Sequence, residues 1–243
     1  MLAEARVGTS GFSYREWVGT IYPAGLSQSQ TLALYASQLG AVEIQSRLPD
    51  EATLASWAEV VPPGFEFALK LPGRVDVRAG RGAARAIGTL LEVAAPLRPR
   101  LGPILIQLPH TLTADRRALN DFLRAVPEGT RVAFEMRHPS WHTEAVLRVL
   151  SAHNAALVLA DYGAGPPRLE LTADFAYVRI RREDDSTEVW SQWTERLAAL
   201  TRRAIDVYAF LKHDRRGFSL ERSRRLAMLL RAEDAQSAQQ LLT

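Results

Sequence analysis

The sequence predicts a single domain over residues 1–243 with the fold of a TIM-like (β/α)8 barrel. The length of 243 residues is typical of one such barrel. Short apolar and β-branched runs alternate with longer segments of helical periodicity, which indicates a parallel sheet covered by helices. Eight of these short runs are present, and eight parallel strands close this kind of barrel.

The predicted strands and helices alternate along almost the whole chain. The strands are expected at 5–10, 41–45, 65–70, 103–107, 131–137, 156–161, 175–180 and 206–212. The helices are expected between them, at 29–39, 53–61, 82–95, 113–125, 142–152, 188–203 and 219–231.

Two segments depart from this regular pattern. The connection from Tyr162 to Asp174 is rich in glycine and proline, so we expect no normal helix there and an irregular barrel around this sixth connection. The tail at 233–243 is predicted to form a last helix or to fray.

Composition excludes several classes of protein. The absence of cysteine rules out disulfides, thiolate metal sites and a cysteine nucleophile. No run approaches the roughly 18 apolar residues of a membrane span, and the first residues lack the apolar region of a signal peptide, so a cytoplasmic protein without membrane partners is expected. The net charge of +3 comes from an arginine-rich basic set, because lysine occurs only at Lys70 and Lys212.

Polar side chains follow the predicted strands at their carboxyl ends, where barrel enzymes place their chemistry. We expect Glu135, Glu43 and Asp161 to act as acids or bases, with Lys70 as an electrostatic partner or Schiff-base lysine. The expected ligand-binding residues are Ser10, Tyr14, Gln45, Gln107, Arg137, His138, Arg179, Lys212 and Asp214. A purely structural alternative is that a buried Glu135 neutralises Arg137 or Arg179.

Basic residues after the seventh and eighth strands suggest a phosphate site, because barrels often bind phosphate there. This set comprises Arg179, Arg181, Arg182, Lys212, Arg215 and Arg216. The alternative is a solvated arginine-rich loop. A metal site built from His110, His138 and His213 with nearby carboxylates is disfavoured, because no local ligand motif supports it. No metal ligand is therefore assigned, and the sequence identifies no cofactor.

A series of motifs resembles the YecE-like family, also called domain of unknown function 72. The motifs are Val7-Gly8-Thr9-Ser10-Gly11-Phe12, Val42-Glu43-Ile44, Leu48-Pro49, Phe65-Glu66-Phe67 with Lys70, Gln107-Leu108-Pro109, Phe134-Glu135-Met136-Arg137-His138-Pro139-Ser140-Trp141, Asp161 and Tyr177-Val178-Arg179. The resemblance implies a TIM-like barrel and implies no reaction. The chain departs from the family pattern at Gln45-Ser46-Arg47, after Lys70, at Arg181-Arg182 and at Lys212-His213, which indicates altered specificity or a catalytically inactive relative.

Two classes of function remain open from the sequence. The first is an enzyme that binds a small phosphorylated or sugar-like metabolite at the carboxyl ends of the strands. The second is a nucleic-acid-binding or metal-dependent nuclease-like protein that uses the basic rim and exposed aromatic residues. The oligomeric state is not predicted.

Overall fold

The computed structural model describes residues 3–45, 47–162, 167, 169–182, 186–214 and 217–240, with side chains described up to residue 233. The strands are β1 (Ala5–Thr9), β2 (Ala41–Ile44), β3 (Glu66–Lys70), β4 (Leu101–Gln107), β5 (Val132–Glu135), β6 (Ala156–Leu157), β7 (Leu159–Asp161), β8 (Phe175–Ile180) and β9 (Asp206–Leu211). The α-helices are α1 (Gln28–Ala36), α2 (Glu51–Val60), α3 (Arg81–Val93), α4 (Arg116–Leu123), α5 (Glu144–Ala152), α6 (Thr187–Thr201) and α7 (Phe218–Gln240). Short 3-10 helices lie at Arg15–Trp17, Val77–Ala79, Ala95–Arg100 and Pro139–Trp141.

The strands form two separate parallel sheets. One sheet has four strands in the order β1-β9-β8-β7, and the other has five strands in the order β2-β3-β4-β5-β6. The predicted single closed barrel is therefore wrong. The predicted strand at 156–161 divides at Val158, so that β6 pairs with β5 while β7 pairs with β8.

Side-chain hydroxyl groups explain where the two ladders are interrupted. Between β1 and β2, the Tyr35 hydroxyl accepts a hydrogen bond from Thr9 N at 2.8 Å and donates one to Ala41 O at 2.9 Å. Beside β6, Thr172 Oγ1 accepts from Leu157 N at 2.8 Å and donates to Ala155 O at 2.7 Å. Each hydroxyl satisfies backbone groups that would otherwise need a neighbouring strand.

The inner faces of the two sheets share one hydrophobic cluster. Ala68, Leu105 and Ala133 of the five-stranded sheet belong to the same buried cluster as Tyr177 and Phe210 of the four-stranded sheet. The outer faces pack against helices in two further clusters. Because side chains alternate along a strand, every second side chain of β2, β3, β5 and β8 points to this inner face, including those near the carboxyl ends of the strands.

Charged residues at the amino ends of the strands also connect the two sheets. Glu66 on β3 forms an ion pair with Arg6 of β1 at 3.2 Å and accepts a hydrogen bond from the Tyr208 hydroxyl of β9 at 2.7 Å. These contacts lie at the end of the sheets opposite to the predicted functional residues, so polar groups occupy both ends.

The sixth connection and the tail are partly described. The described residues between Tyr162 and Asp174 form no helix, while residues 163–166 and 168 lie outside the described part of the chain. Helix α7 extends to Gln240, and residues 241–243 also lie outside the described part of the chain. Within the described residues, no helix has both the length and the apolar character needed to cross a membrane.

A substitution at Gly8 tests the close approach of β1 to β2. A Cβ atom at this position would lie 2.0 Å from Ala41 O, so Gly8→Ala forces the strands apart. We expect a loss of about 2–3 kcal/mol in the free energy of unfolding, measured by urea denaturation. Gly88→Ala is the matched control, because a Cβ there meets nothing within 4 Å on helix α3 and stabilises the helix by about 0.5–1 kcal/mol. Equal stabilities for the two variants would contradict this close contact.

Candidate functional site

A buried arginine joins the two sheets at the carboxyl ends of their strands. Arg179 on β8 donates from Nη2 to Glu43 Oε1 at 2.9 Å and from Nη1 to Glu135 Oε2. The three side chains are almost fully buried, with relative exposures of 1%, 0% and 2%. The planar guanidinium group suits this arrangement, since it presents separate N–H groups to two carboxylates.

Glu43 is held by donors on several sides. Besides Arg179, it accepts hydrogen bonds from Ser10 Oγ at 2.7 Å, from Gln45 Nε2 and from the Tyr177 hydroxyl at 2.7 Å. Burial and the neighbouring Glu43 carboxylate raise the pKa of Tyr177, which keeps its hydroxyl protonated as a donor. The structure thus brings together the predicted residues Ser10, Glu43, Gln45 and Arg179.

Glu135 is equally enclosed by donors. Its Oε1 accepts from Gln107 Nε2 at 3.0 Å, from Arg137 Nε at 2.8 Å and from the Tyr162 hydroxyl at 2.5 Å. Burial would raise the pKa of Glu135, but the Arg179 charge and the hydrogen bonds from Tyr162, Arg179 and Arg137 lower it to about 2. Glu135 thus forms ion pairs with both Arg137 and Arg179, as the structural alternative requires of at least one of them.

This environment argues against the expected acid-base role of Glu135. A carboxylate with a pKa of about 2 holds no proton to donate near pH 7 and is a weak base. Its oxygens are already occupied by four donors, so it is arranged to hold its neighbours in position. Glu43, with four donors of its own, is arranged in the same way.

Lys70 differs from these carboxylates because it is unengaged. It ends β3 on the inner face, two residues after the buried Ala68, and is half-buried. Among the described residues, no hydrogen bond or ion pair involves its side chain. Lys70 therefore remains available for a ligand or a reaction.

Two predicted site residues, His138 and Asp214, cap helices. His138 caps the 3-10 helix at Pro139–Trp141, where its Nδ1 accepts from Ser140 N at 3.2 Å. Asp214 caps α7 by accepting from Phe218 N at 3.0 Å and from Ser219 N. These contacts fix backbone amides that lack a partner within their own helix.

Asp161 is directed away from the inner face. It is fully buried, and its Oδ2 accepts from Trp193 Nε1 of α6 at 3.1 Å and pairs with Arg182 Nε at 3.2 Å. Because the sixth strand divides at Val158, β7 directs Asp161 toward α6. The structure does not bring Asp161 together with Glu43 and Glu135.

Tyr14 and Lys212 lie on another side of the strand ends. The Tyr14 ring stacks on His213 with ring centroids 3.5 Å apart, and its hydroxyl donates to Ser10 O. Burial and the charges of Glu43 and Glu16 raise the pKa of Tyr14 to about 12. Lys212 is exposed, and no described residue forms a hydrogen bond or ion pair with its side chain.

The predicted phosphate site after the seventh and eighth strands is not assembled by the described residues. Arg179 is buried between Glu43 and Glu135, and Arg182 pairs with Asp161. Arg215 and Arg216 lie outside the described residues.

An open groove lies instead beside the ends of β3, β4 and β5. It has a volume of about 340 Å³ and is lined by Gly73, Arg74, Gln107, Leu108, Pro109, His110, Thr111 and Arg137. A second groove of about 280 Å³ adjoins it and shares Arg74, Pro109 and Thr111. Arg74 Nη2 donates to Thr111 Oγ1 at 2.9 Å, so one hydrogen bond orients this exposed guanidinium group.

The groove carries excess positive charge. The carboxylates of Glu43 and Glu135 are balanced by Arg179 and Arg137, so Arg74 adds a formal positive charge that this network does not neutralise. Arg78 lies in the adjoining groove and is paired with Asp76 at 2.7 Å. The groove of about 340 Å³, called the principal groove below, therefore contains one arginine charge that the buried network does not balance.

Two of these groove residues, Gln107 and Arg137, are among the residues predicted from the sequence to bind a ligand. Sequence reasoning missed Arg74, because the segment after Lys70 was judged only by the absence of a family motif. It also missed Tyr162, which was treated only as the start of an irregular connection. His110 lines the groove, but among the described residues no three histidine, aspartate or glutamate side chains are grouped to hold a metal ion.

Comparisons with known proteins reveal related sequences and folds. The family model described as "Protein of unknown function DUF72" matches residues 6–242. The structure is similar to a DUF72 family protein from Thermotoga maritima, with 25% identity and a TM-score of 0.79 over 93% of this chain and 99% of that chain. It is also similar in fold to a DUF72 family protein from Enterococcus faecalis, with 19% identity and a TM-score of 0.71 over 95% of this chain and 98% of that chain. A comparison with curated proteins found no match.

The buried carboxylate predicts an unusual pH dependence of stability. Because the pKa of Glu135 falls from 4.5 to about 2 on folding, ionised Glu135 stabilises the fold above about pH 4.5, and this contribution is lost as the pH falls toward 2. Glu135→Gln should lower the unfolding free energy by about 2–4 kcal/mol at pH 7. The difference from the wild type should shrink between pH 5 and pH 3, as measured by urea denaturation.

Glu92→Gln provides the control for this experiment, because Glu92 is an exposed carboxylate on α3. Its effect should be small and nearly constant with pH. If the Glu135 and Glu92 variants show the same pH dependence, Glu135 is not the ionised partner described above.

Proposed function

The chain belongs to the DUF72 family of proteins of unknown function, and we propose that its groove beside β3, β4 and β5 binds a small phosphorylated metabolite. The observation that carries this proposal is the presence of two arginines, Arg74 and Arg137, in one groove with excess positive charge. Guanidinium groups bind phosphate oxygens through paired, charge-assisted hydrogen bonds.

The supporting contacts hold the groove in shape before a ligand arrives. Thr111 accepts a hydrogen bond from Arg74, and Glu135 accepts hydrogen bonds from Arg137 and Gln107. Restricting these side chains in the free protein reduces the entropy lost when a ligand binds. Arg137 keeps 40% of its side chain exposed, so it is accessible to a ligand despite its ion pair.

The size of the groove favours a small molecule. A volume of about 340 Å³ lies at the lower end of the range for small-molecule sites. The adjoining groove does not extend the excess positive charge, because Arg78 there is paired with Asp76. This favours a metabolite over a nucleic acid, whose backbone requires a longer row of cations.

Among the residues predicted to react, Lys70 at the end of β3 is a better candidate than the buried carboxylates, although it is not a lining residue of the groove. Glu43 and Glu135 are surrounded by donors, while Lys70 is a half-buried residue whose amine has no hydrogen bond or ion pair among the described residues. An electrostatic or Schiff-base role for Lys70 fits a phosphorylated sugar or another phosphorylated carbonyl compound.

Binding of phosphorylated probes tests the proposal. Glucose 6-phosphate and inorganic phosphate should raise the melting temperature of the wild type, while glucose at the same concentration should not. Arg74→Met should weaken binding of glucose 6-phosphate by about 10- to 100-fold in calorimetry, because a charged hydrogen-bond donor is lost.

Arg148→Met is the matched control, since Arg148 is an exposed arginine on α5 outside the groove. It should bind glucose 6-phosphate as the wild type does. The metabolite proposal is refuted if both variants lose the same affinity for glucose 6-phosphate. It is also refuted if mixed-sequence oligonucleotides bind in a salt-sensitive manner while neither phosphate probe binds, which would indicate non-specific polyanion binding.

A further inference from the structure

Three side chains from different parts of the chain bind the same oxygen atom beside the groove. Gln107 at the end of β4, Arg137 after β5 and Tyr162 after β7 all donate to Glu135 Oε1, at 3.0, 2.8 and 2.5 Å. Gln107 and Arg137 line the principal groove. Since all three donors meet at one atom, the Tyr162 hydroxyl lies next to the wall of that groove.

Tyr162 combines a fixed hydroxyl with an exposed side chain. It is one of the most exposed large hydrophobic residues in the described chain, with a relative exposure of 57%. An exposed aromatic side chain is common at binding sites, where its ring covers a large area at a low entropic cost. The hydrogen bond to Glu135 restrains the ring further before any ligand binds.

We propose that Tyr162 is a specificity-determining residue whose ring stacks on the base of a nucleoside monophosphate, while Arg74 and Arg137 hold the phosphate. This inference rests on the proposed function of the groove. Stacking on an aromatic ring requires a flat partner of similar size, and a nucleobase provides one. A groove of about 340 Å³ suits a single nucleotide better than a longer chain.

The polar groups beside Tyr162 are consistent with this ligand class. Gln107 places a side-chain amide at the groove, and an amide group can hydrogen-bond to ribose hydroxyls or to the edge of a base. Gln107, Arg137 and Tyr162 share the acceptor Glu135 Oε1. Groups that can contact a sugar, a phosphate and a base thus lie within reach of one carboxylate oxygen.

Two variants distinguish the contribution of the Tyr162 ring to ligand binding from that of its hydroxyl group. Tyr162→Phe retains the ring and removes the hydrogen bond to Glu135, whereas Tyr162→Leu removes both. The probes are adenosine monophosphate, ribose 5-phosphate and inorganic phosphate, with dissociation constants measured by calorimetry. Circular dichroism and melting temperature establish that each variant is folded.

The proposal predicts that the wild type binds adenosine monophosphate more tightly than ribose 5-phosphate. Tyr162→Leu should weaken binding of adenosine monophosphate by about 5- to 100-fold, as expected for the loss of one stacked base. Binding of the other two probes should change by less than about 2-fold, and Tyr162→Phe should keep the preference for adenosine monophosphate, because its ring still stacks.

Other outcomes overturn the proposal in distinguishable ways. If ribose 5-phosphate and inorganic phosphate bind in an Arg74-dependent manner without any preference for adenosine monophosphate, the role of Tyr162 is refuted and the phosphate site stands. If Tyr162→Leu weakens the binding of ribose 5-phosphate as much as the binding of adenosine monophosphate, the ring contacts the sugar. The assignment of the ring to a base is then wrong. If none of the three probes binds, the proposed function fails and this inference fails with it.

Discussion

The pairing of Arg179 with Glu43 and Glu135 is the interaction on which the carboxyl ends of the sheets depend. Arg179 belongs to the four-stranded sheet and both carboxylates belong to the five-stranded sheet, so one guanidinium group connects strands that share no regular ladder. Three charges are removed from water here, and such burial is costly unless each charge is paired and hydrogen-bonded. Both carboxylates meet this condition, whereas Arg179 Nε has no hydrogen-bond partner among the described residues. Ser10, Gln45, Tyr177, Gln107, Arg137 and Tyr162 provide the remaining donors.

This constraint also explains how the groove acquires its shape and charge. Glu135 is buried and ionised, so it orients Gln107, Arg137 and Tyr162 around one oxygen at the edge of the groove. Because the paired charges cancel, the electrostatic character of the groove is set by Arg74, which lies outside the pairing. The buried acids therefore hold the surrounding side chains in place, and under the proposed function a ligand would contact this outer layer.

The sequence was sufficient to locate the strands and the chemical character of their ends, but not how the sheets are joined. The strand pattern placed Glu43, Glu135 and Arg179 near the carboxyl ends of their strands, and the structure brings these three side chains together. The closed barrel was wrong because the hydroxyls of Tyr35 and Thr172 replace ladder hydrogen bonds, and neither contact follows from residue pattern. The surroundings of Asp161, Arg74 and Tyr162 did not follow from the sequence for a related reason. Each depends on a strand break or a loop path, which distant contacts determine.

Urea unfolding of Arg179→Met and of the triple variant Arg179→Met, Glu43→Gln, Glu135→Gln tests the central role of this pairing most directly. The single substitution leaves two buried carboxylates without their shared cation and should lower the unfolding free energy by about 3–5 kcal/mol. The triple variant removes these charges together and should recover at least half of that loss, since amide groups remain able to accept from the surrounding donors. The account is contradicted if Arg179→Met is as stable as the wild type. It is also contradicted if the triple variant is no more stable than Arg179→Met.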